Sequence, residues 1–424
     1  MFICSKARAC ARSISIFLVM ACASGFPAAA LAQSLTLNDV LSRTAGVDPS
    51  AGVNAARIEA AGASTRAADF GPRPRVGVDM EDFAGSGPFR RADSSQTTAY
   101  YEQVWERGGK RDARVQFARS EQAVAQQRAR IRMLDLFEKV QGAWIEALAA
   151  DAAVRVAQER LAVAQSSERE VARRVGRALD PVFAGERARA ALAQARIAAD
   201  QAVETARLAR VMLATWWGGT ETFQLDPAQF QIGALLVSVS QNVPDLDLLA
   251  AERDAADANI RLAEANSATD PTFRVGVRRF GQGDNVALVA GASIPVGVSS
   301  AGRPAIERAQ AERLAAEGEL ASARLQRKRE ADRLNADRAA IASEVSRIDD
   351  EVIPTAARAA TLVRDGYNRG GSAFTFLEVA DAQRSLIETK TRRIDLLRRF
   401  HLNGARLDRL SGRHLSLIAS EEKR

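Results

Sequence analysis

Residues that commonly carry catalysis or bind metals are scarce in this sequence. Its 424 residues include two histidines, His401 and His414, and three cysteines, Cys4, Cys10 and Cys22. No phosphate-binding loop or His-Glu-x-x-His pattern is present. The histidines are interpreted as surface or interface residues of the last helix, with a metal or proton-transfer role as the alternative. The chain is therefore predicted to be no enzyme and to need no cofactor.

The first 32 residues have the features of a secretory signal. Basic residues precede an apolar stretch over 14–23, and a small-x-small cleavage site ends at Ala32. Lipidation of Cys22 after cleavage is the alternative, since the residues before it resemble a lipobox. Both readings predict an exported protein. The formal net charge of +7 includes three basic leader residues, and this small excess argues against a nucleic-acid binder.

Two segments alternate apolar and polar residues with the period of a β-strand and are predicted to form hairpins, at about 75–105 and about 273–295. The apolar positions are Val76, Val78 and Met80 in the first and Phe273, Val275 and Val277 in the second. Strands of this length match the roughly 9 to 11 tilted residues that cross a bilayer. The alternative is a pair of hairpins that cap a soluble helical bundle.

The remainder is predicted to be helical, because proline is absent from 110–179 and from 305–353. A helix of about 65 residues would be on the order of 100 Å long. Apolar residues recur every three or four positions in both segments, as in coiled-coil seams. These are Leu134, Phe137, Val140, Trp144 and Leu148 in the first and Leu334, Ile341, Val345, Ile348 and Val352 in the second.

The chain repeats itself, which organises the whole prediction. Arg75-Val76-Gly77-Val78 recurs as Arg274-Val275-Gly276-Val277, and each copy precedes a hairpin, a long helix, a turn and a returning helix. The predicted divisions are a signal peptide (1–32), a first repeat (33–217, helices about 110–216), a linker (218–244), a second repeat (245–412, helices about 303–411) and a tail (413–424).

This arrangement resembles the TolC-like outer membrane efflux protein family over essentially the whole mature chain. More narrowly, the residues from Gly71 to Gly87 and from Glu102 to Arg111 look like the CzcC-type branch that serves heavy-metal efflux. One departure is Val104, where the family usually has proline; the second copy keeps Pro295.

The resemblance implies a mainly α fold with a small β part, in which a trimeric 12-stranded β-barrel continues into an α-helical barrel. Four strands cannot close a membrane barrel, which begins at about eight, so several chains must contribute. The implied function is a passive conduit for heavy-metal cations from the periplasm to the exterior. The implied location is the outer membrane, with the helices extending into the periplasm.

The implied partners are two further copies of the chain, outer-membrane lipid, a periplasmic adaptor protein and an inner-membrane pump of the RND type. Two alternatives remain open. The channel could serve drug efflux or type I secretion, or the chain could be a soluble periplasmic coiled-coil scaffold or adaptor.

The resemblance places the turns between long helices at the periplasmic mouth, where the adaptor docks. Gly176 and Gly370 are expected to adopt positive φ there, although they could simply end helices. The predicted contact surface is Gly176, Arg177, Gly370, Gly371 and Ser372.

Acidic residues close to the second turn form a possible gate in the lumen. Asp349, Asp350 and Asp365 could select cations there. The alternative is ordinary solvated helix charge, because Arg347 and Arg358 lie beside them in the sequence.

Overall fold

The computed structural model describes residues 34–90, 92–232, 243–283, 285–296, 302–369 and 374–421. The α-helices are α1 (Leu37–Val47), α2 (Pro49–Ala68), α3 (Lys110–Gly176), α4 (Val182–Ala214), α5 (Pro244–Asn266), α6 (Arg303–Arg347), α7 (Ile353–Asn368), α8 (Phe376–Ser411) and α9 (Leu415–Glu421). The strands are β1 (Ser34–Leu35), β2 (Arg75–Glu81), β3 (Gln96–Val104), β4 (Gln224–Leu225), β5 (Thr272–Phe280) and β6 (Val286–Ser293).

The longest helix, α3, has 67 residues, which corresponds to about 100 Å. All five seam residues predicted for this helix are buried. The helix packs against α2, α4, α5 and α8, and α4 contributes small buried side chains at Ala188, Ala195, Ala199 and Ala206. Alanine at these positions lets the helix axes approach closely, which explains how a chain with few large apolar residues forms long packed helices.

The second long helical segment is not one uninterrupted α-helix. Its α6 and α7 portions are joined by a π-helical turn over Ile348–Val352. Pro354 follows that turn and lacks the N–H that a regular helix would direct at the carbonyl of Asp350. The wider turn accommodates the missing bond. Four of the five predicted seam residues here are buried, whereas Val352 is exposed.

Both predicted hairpins form, and they join into one antiparallel sheet in the order β2-β3-β5-β6. The register places Val76 opposite Tyr101 and Val78 opposite Ala99, and both β3 residues also face apolar residues of β5. One face of the sheet is therefore apolar. The other face carries charged side chains, with Arg274 bonded to Asp79 across the sheet.

The largest hydrophobic core lies where α1, α3 and α8 meet the segment between the two repeats. Parallel strands β1 and β4 pair there, and Phe230 is buried in the same cluster. In the described part of the chain, no helix combines the length and the apolar character required to span a membrane.

Candidate functional site at the helical turns

The turn from α3 to α4 is tight, and its strained residue is not the predicted one. Gly176 is the last residue of α3, and positive φ occurs instead at Ala178, at 57°. The amides of Ala178 and Leu179 donate to the carbonyls of Val175 and Arg174. The expectation of positive φ at Gly176 is therefore wrong, because the helix continues through the glycine before the chain reverses.

A buried polar cluster holds this turn against the end of α7. Arg174, 8% exposed, donates from Nε to Asp180 Oδ2 at 3.0 Å and from Nη2 to Oδ1 at 3.2 Å. Its Nη1 donates to the carbonyl of Tyr367 at 2.7 Å, and its guanidinium lies 4.2 Å from the ring centroid of that tyrosine. The hydroxyl of Tyr367 donates to Asp180. Three residues from two helical hairpins thus form one closed network.

The electrostatics of the network keep the tyrosine as a hydrogen-bond donor. Burial, reinforced by the adjacent Asp180 carboxylate, raises the pKa of Tyr367 above its ordinary value. Burial alone would raise the pKa of Asp180, but the hydrogen bonds from Arg174 and Tyr367 outweigh it and hold that pKa below its ordinary value. At neutral pH the cluster therefore contains a guanidinium, a carboxylate and a neutral phenol.

The second turn is bounded by the end of α7 at Asn368 and the start of α8 at Phe376. A capping box formed by Thr375 and Glu378 begins α8. Gly366 is buried in the last turn of α7, and a Cβ there would lie 2.4 Å from the ring of Phe374. The predicted contact residues Gly370, Gly371 and Ser372 lie outside the described residues, as does the possible lipidation site Cys22.

The surface around the turns exposes both predicted contact residues and large apolar side chains. Gly176 and Arg177 are exposed, as predicted contact residues must be. Large apolar side chains are also exposed at both turns, Leu179, Val182 and Phe183 at the first and Leu377 at the second. A cavity of 350 Å³ between α3 and the α7–α8 hairpin is lined by Arg169, Arg173 and Arg364 among other residues. Exposed apolar side chains thus occur at the same end of these helices as a cavity whose arginines are partly paired, Arg173 with Glu170 and Arg364 with Asp365.

The three acids proposed as a lumen gate have different surroundings. Asp349, in the π-helical turn, accepts from Nη2 of Arg393 at 2.8 Å. Asp350 accepts from the Ser346 hydroxyl at 2.9 Å, whereas Asp365 Oδ1 is 3.6 Å from Nε of its neighbour Arg364. The π-helical turn lies 16 residues before the end of α7 at Asn368, so Asp349 and Asp350 are remote from the turn itself.

The sequence led to the interpretation of both histidines as surface or interface residues, whereas the structure buries His414 and half-buries His401. His414 is 8% exposed and lies edge-on to Phe137, and His401 stacks on Phe230. Burial lowers the pKa of both imidazoles. Sequence spacing missed this because α8 turns His401 toward Phe230, and His414 lies in the turn between α8 and α9. In the described residues, no group of three or more His, Cys, Asp or Glu side chains could hold a metal ion.

Sequence reasoning also missed the Arg174–Asp180–Tyr367 network. Asp180 and Tyr367 fall within the two breaker segments, but nothing in a single sequence pairs residues 187 positions apart. An arginine in an Arg-rich helix gives no sign that it is buried.

Curated proteins similar to this chain include two metal-resistance proteins. The cobalt-zinc-cadmium resistance protein CzcC of Cupriavidus metallidurans is 24% identical over 394 residues, covering 90% of this chain and 91% of the relative. The nickel-cobalt-cadmium resistance protein NccC of Alcaligenes xylosoxydans xylosoxydans is 28% identical over 327 residues, 73% of this chain and 70% of the relative. No family model matches the sequence.

Solved structures with the same fold are outer-membrane proteins, two of the three described below being named as channels. VceC of Vibrio cholerae superposes with a TM-score of 0.72 at 19% identity, over 89% of this chain and 96% of that one. CusC superposes with a TM-score of 0.73 at 17% identity, over 89% of this chain and 92% of that one. The open-state MtrE channel of Neisseria gonorrhoeae superposes with a TM-score of 0.69 at 17% identity, over 89% of this chain and 88% of that one. Taken with the internal repeat and the joined hairpins, these matches show that the chain has the fold of these outer-membrane proteins and resembles the TolC-like outer membrane efflux protein family.

Proposed function

We propose that this chain is one subunit of a passive trimeric channel in the outer membrane, which carries heavy-metal cations from the periplasm to the exterior. The observation that carries the proposal is the two-faced sheet, whose exposed face is apolar and whose opposite face is charged. Val76, Val78 and Leu288 are all strongly exposed on the apolar face, and such a surface is stable only against lipid or another protein.

The edges of the sheet support a trimer. In the described residues, β2 and β6 each have a neighbouring strand on one side only. An unpaired strand edge in lipid costs several kcal/mol for each unsatisfied backbone group. Three copies would supply twelve strands and close the ring, which satisfies both edges of every subunit.

The charged face would then line the water-filled interior. Arg274 bonds to Asp79 at 3.0 Å and to Glu102 at 3.2 Å, and Arg278 lies 3.0 Å from Glu81. These pairs are partly exposed, so water continues to solvate them. Such a lining conducts hydrated solutes and supplies no energy of its own.

Energy would come from an inner-membrane pump of the RND type, through a periplasmic adaptor that docks on the helical turns. The exposed apolar residues beside Gly176 and Arg177 support this docking site. The Arg174–Asp180–Tyr367 network would hold the two helical hairpins of a subunit together until the adaptor engages them.

Metal cations are the proposed cargo because both curated relatives are named for resistance to cobalt and cadmium, and one of them for zinc. The test is a deletion strain complemented with this chain or an empty vector. We expect complementation to restore growth at inhibitory zinc, cobalt, cadmium or nickel. Restored tolerance to drugs alone would contradict the metal assignment and leave the channel assignment intact.

Cell fractionation separates the channel from the soluble scaffold that the sequence left open. We expect the chain in the outer membrane as an oligomer that dissociates on heating in detergent. Recovery as a soluble periplasmic monomer would overturn the channel proposal.

A further inference from the structure

Four chain segments meet where the sheet joins the helices, and we call this region the junction band. The segments are 69–74, 105–111, 267–271 and 302–303. The Trp105 amide donates to the Pro271 carbonyl at 2.8 Å. A Cβ built on Gly302 would lie 2.8 Å from Cβ of Ser267. Side chains from both repeats therefore share one surface at this level.

The junction band and the adjoining strand ends expose large apolar side chains. Trp105 is 65% exposed, and its ring lies 6.0 Å from that of Phe273 in an edge-on arrangement. The other exposed apolar residues here are Phe70, Ile294 and Val296. Aromatic rings at the end of an apolar sheet face are typical of the level at which lipid headgroups begin.

The junction band also has an excess of positive charge. Each of its acids is paired with a cation: Asp69 with Arg111 at 3.0 Å, Glu106 with Arg114 at 2.6 Å and Asp270 with Lys110 at 2.7 Å. Three further arginines, Arg73, Arg107 and Arg303, are exposed and form no ion pair with any residue that the structure describes. No carboxylate of these four segments is left to neutralise them.

A lipid with an anionic headgroup matches both properties of this surface. Its acyl chains would cover the apolar face of the sheet, and its phosphate would accept from the free guanidinium groups. We propose that the junction band binds anionic phospholipid in preference to zwitterionic phospholipid. This inference rests on the membrane insertion proposed above. Each cation near an anionic surface favours binding by roughly 1 kcal/mol, or about fivefold.

Fluorescence quenching of Trp105 measures lipid binding at the junction band directly. The other three tryptophans, Trp144, Trp216 and Trp217, lie outside the sheet and the junction band. The purified full-length protein is reconstituted in phosphatidylcholine vesicles containing brominated phosphatidylglycerol, or containing brominated phosphatidylcholine as the reference quencher. The comparison of Trp105 quenching gives the relative affinity of the two lipids. We expect a preference of at least about fivefold for phosphatidylglycerol at low salt, which falls as salt screens the charges.

A triple variant, Arg73→Gln with Arg107→Gln and Arg303→Gln, should reduce the preference to near one. The matched control removes three other exposed arginines outside the junction band, Arg90→Gln, Arg130→Gln and Arg324→Gln, and should keep the preference. Equal quenching by both lipids in the unaltered protein, or equal loss in both triple variants, would overturn the lipid inference alone. Absence of quenching by either brominated lipid would overturn both the inference and the proposed membrane insertion.

Discussion

Arg174 shows how a single buried charge organises the α3–α4 turn. Its guanidinium bonds with Asp180, with the Tyr367 carbonyl and with the Tyr367 ring. Leaving a buried charge without its partner is more costly than removing a complete pair. Asp180 is therefore expected to contribute more to the turn than the tyrosine hydroxyl does.

Replacing members of this network should loosen the turn in a defined order. Tyr367→Phe removes one hydrogen bond to a carboxylate and should cost about 2 kcal/mol, whereas Asp180→Asn leaves Arg174 uncompensated and should cost about 3 to 5 kcal/mol. Thermal unfolding of the purified oligomer measures the order, and single-channel conductance in planar bilayers measures whether the closed state leaks. Tyr101→Phe, which removes an exposed hydroxyl, is the control. Equal stability of all three variants would exclude a structural role for the network.

Ala178 carries backbone strain that glycine would relieve. Its φ of 57° is in the left-handed region, which costs an L-residue roughly 1 to 2 kcal/mol. Ala178→Gly should therefore stabilise the protein by about 1 kcal/mol, and Ala178→Val should destabilise it. As a control, Ala172→Gly within α3 should destabilise by about 1 kcal/mol. Differential scanning fluorimetry measures the melting temperature of each variant. A lower melting temperature for Ala178→Gly than for the parent would contradict the assignment of strain to Ala178.

At the scale of elements, the sequence repeat has a packing explanation in the sheet. Gly77 and Gly276 lie opposite the same residue, Tyr100, on its two sides, and Arg274 is 3.7 Å above the ring of that tyrosine. The Val-Gly-Val motif occurs in both repeats because each copy borders Tyr100. A side chain at Gly77 would occupy the space of the Tyr100 ring, and one at Gly276 the space of the Ala99 carbonyl.

Alanine substitutions should rank according to which atoms they meet. A Cβ at Gly276 would lie 2.6 Å from the carbonyl oxygen of Ala99, which the strand ladder fixes, whereas at Gly77 it meets the movable end of the Tyr100 ring at 2.5 Å. Gly276→Ala should therefore introduce more strain than Gly77→Ala, by about 1 to 3 kcal/mol. The yield of assembled oligomer should accordingly be lower for Gly276→Ala. Gly291→Ala, with no neighbour within 4 Å, is the control. Tyr100→Ala should rescue Gly77→Ala but only partly rescue Gly276→Ala, and the opposite ranking would contradict the register.

The core near α8 should lose stability in mild acid. Burial is the main cause that lowers the pKa of His414 below 6.5; Asp408 opposes it, and Arg413 adds to it. Arg338, which lines the same cavity, is also close. The imidazole of His414 binds a proton more readily in the unfolded chain than in the folded chain. The contribution of neutral His414 to the free energy of unfolding is therefore fully present above pH 6.5 and falls as the pH decreases through that value.

Chemical unfolding between pH 7.5 and pH 5 measures this loss, and His414→Gln should reduce its pH dependence. Asp180 contributes at lower pH, because its pKa is below the ordinary carboxyl value of 3.8. A pH profile that is identical in the variant and the parent would assign the acid sensitivity to other groups, His401 first.

Element types followed from the sequence because their signals are local. The alternation of apolar and polar residues predicted the two hairpins. The absence of proline and the spacing of apolar residues predicted α3 and its buried seam. The pairing of β3 with β5 could not be predicted, since it joins residues 168 to 184 positions apart through a register that no single strand encodes. The π-helical turn before Pro354 and the burial of Arg174 likewise depend on packing against other helices.

At the scale of the whole molecule, the described chain has strand edges and apolar surfaces that no other part of it covers. Its sheet has open edges at β2 and β6, its outer face is apolar, and its helices expose residues such as Ile197 and Met212 on the side of α4 away from the alanine stripe. Assembly with further copies would cover the edges, and lipid would cover the face. In the proposed assembly, the free energy of the functional state would be divided between folding, oligomerisation and membrane insertion.

Assembly in the membrane should be blocked by a charge on the apolar face of the sheet. Val78→Arg and Val277→Arg place a guanidinium where we propose lipid contact, at a cost of about 2 to 4 kcal/mol near the midplane of the bilayer. Leu325→Arg, at an exposed apolar position on α6, adds the same charge outside the sheet and is the control. We expect the two strand variants to lose heat-dissociable oligomer from the outer membrane and to leave metal sensitivity uncorrected, while the control behaves like the parent. Normal oligomer levels for both strand variants would mean that this face does not contact lipid, and the bundle-cap interpretation of the hairpins would then be preferred.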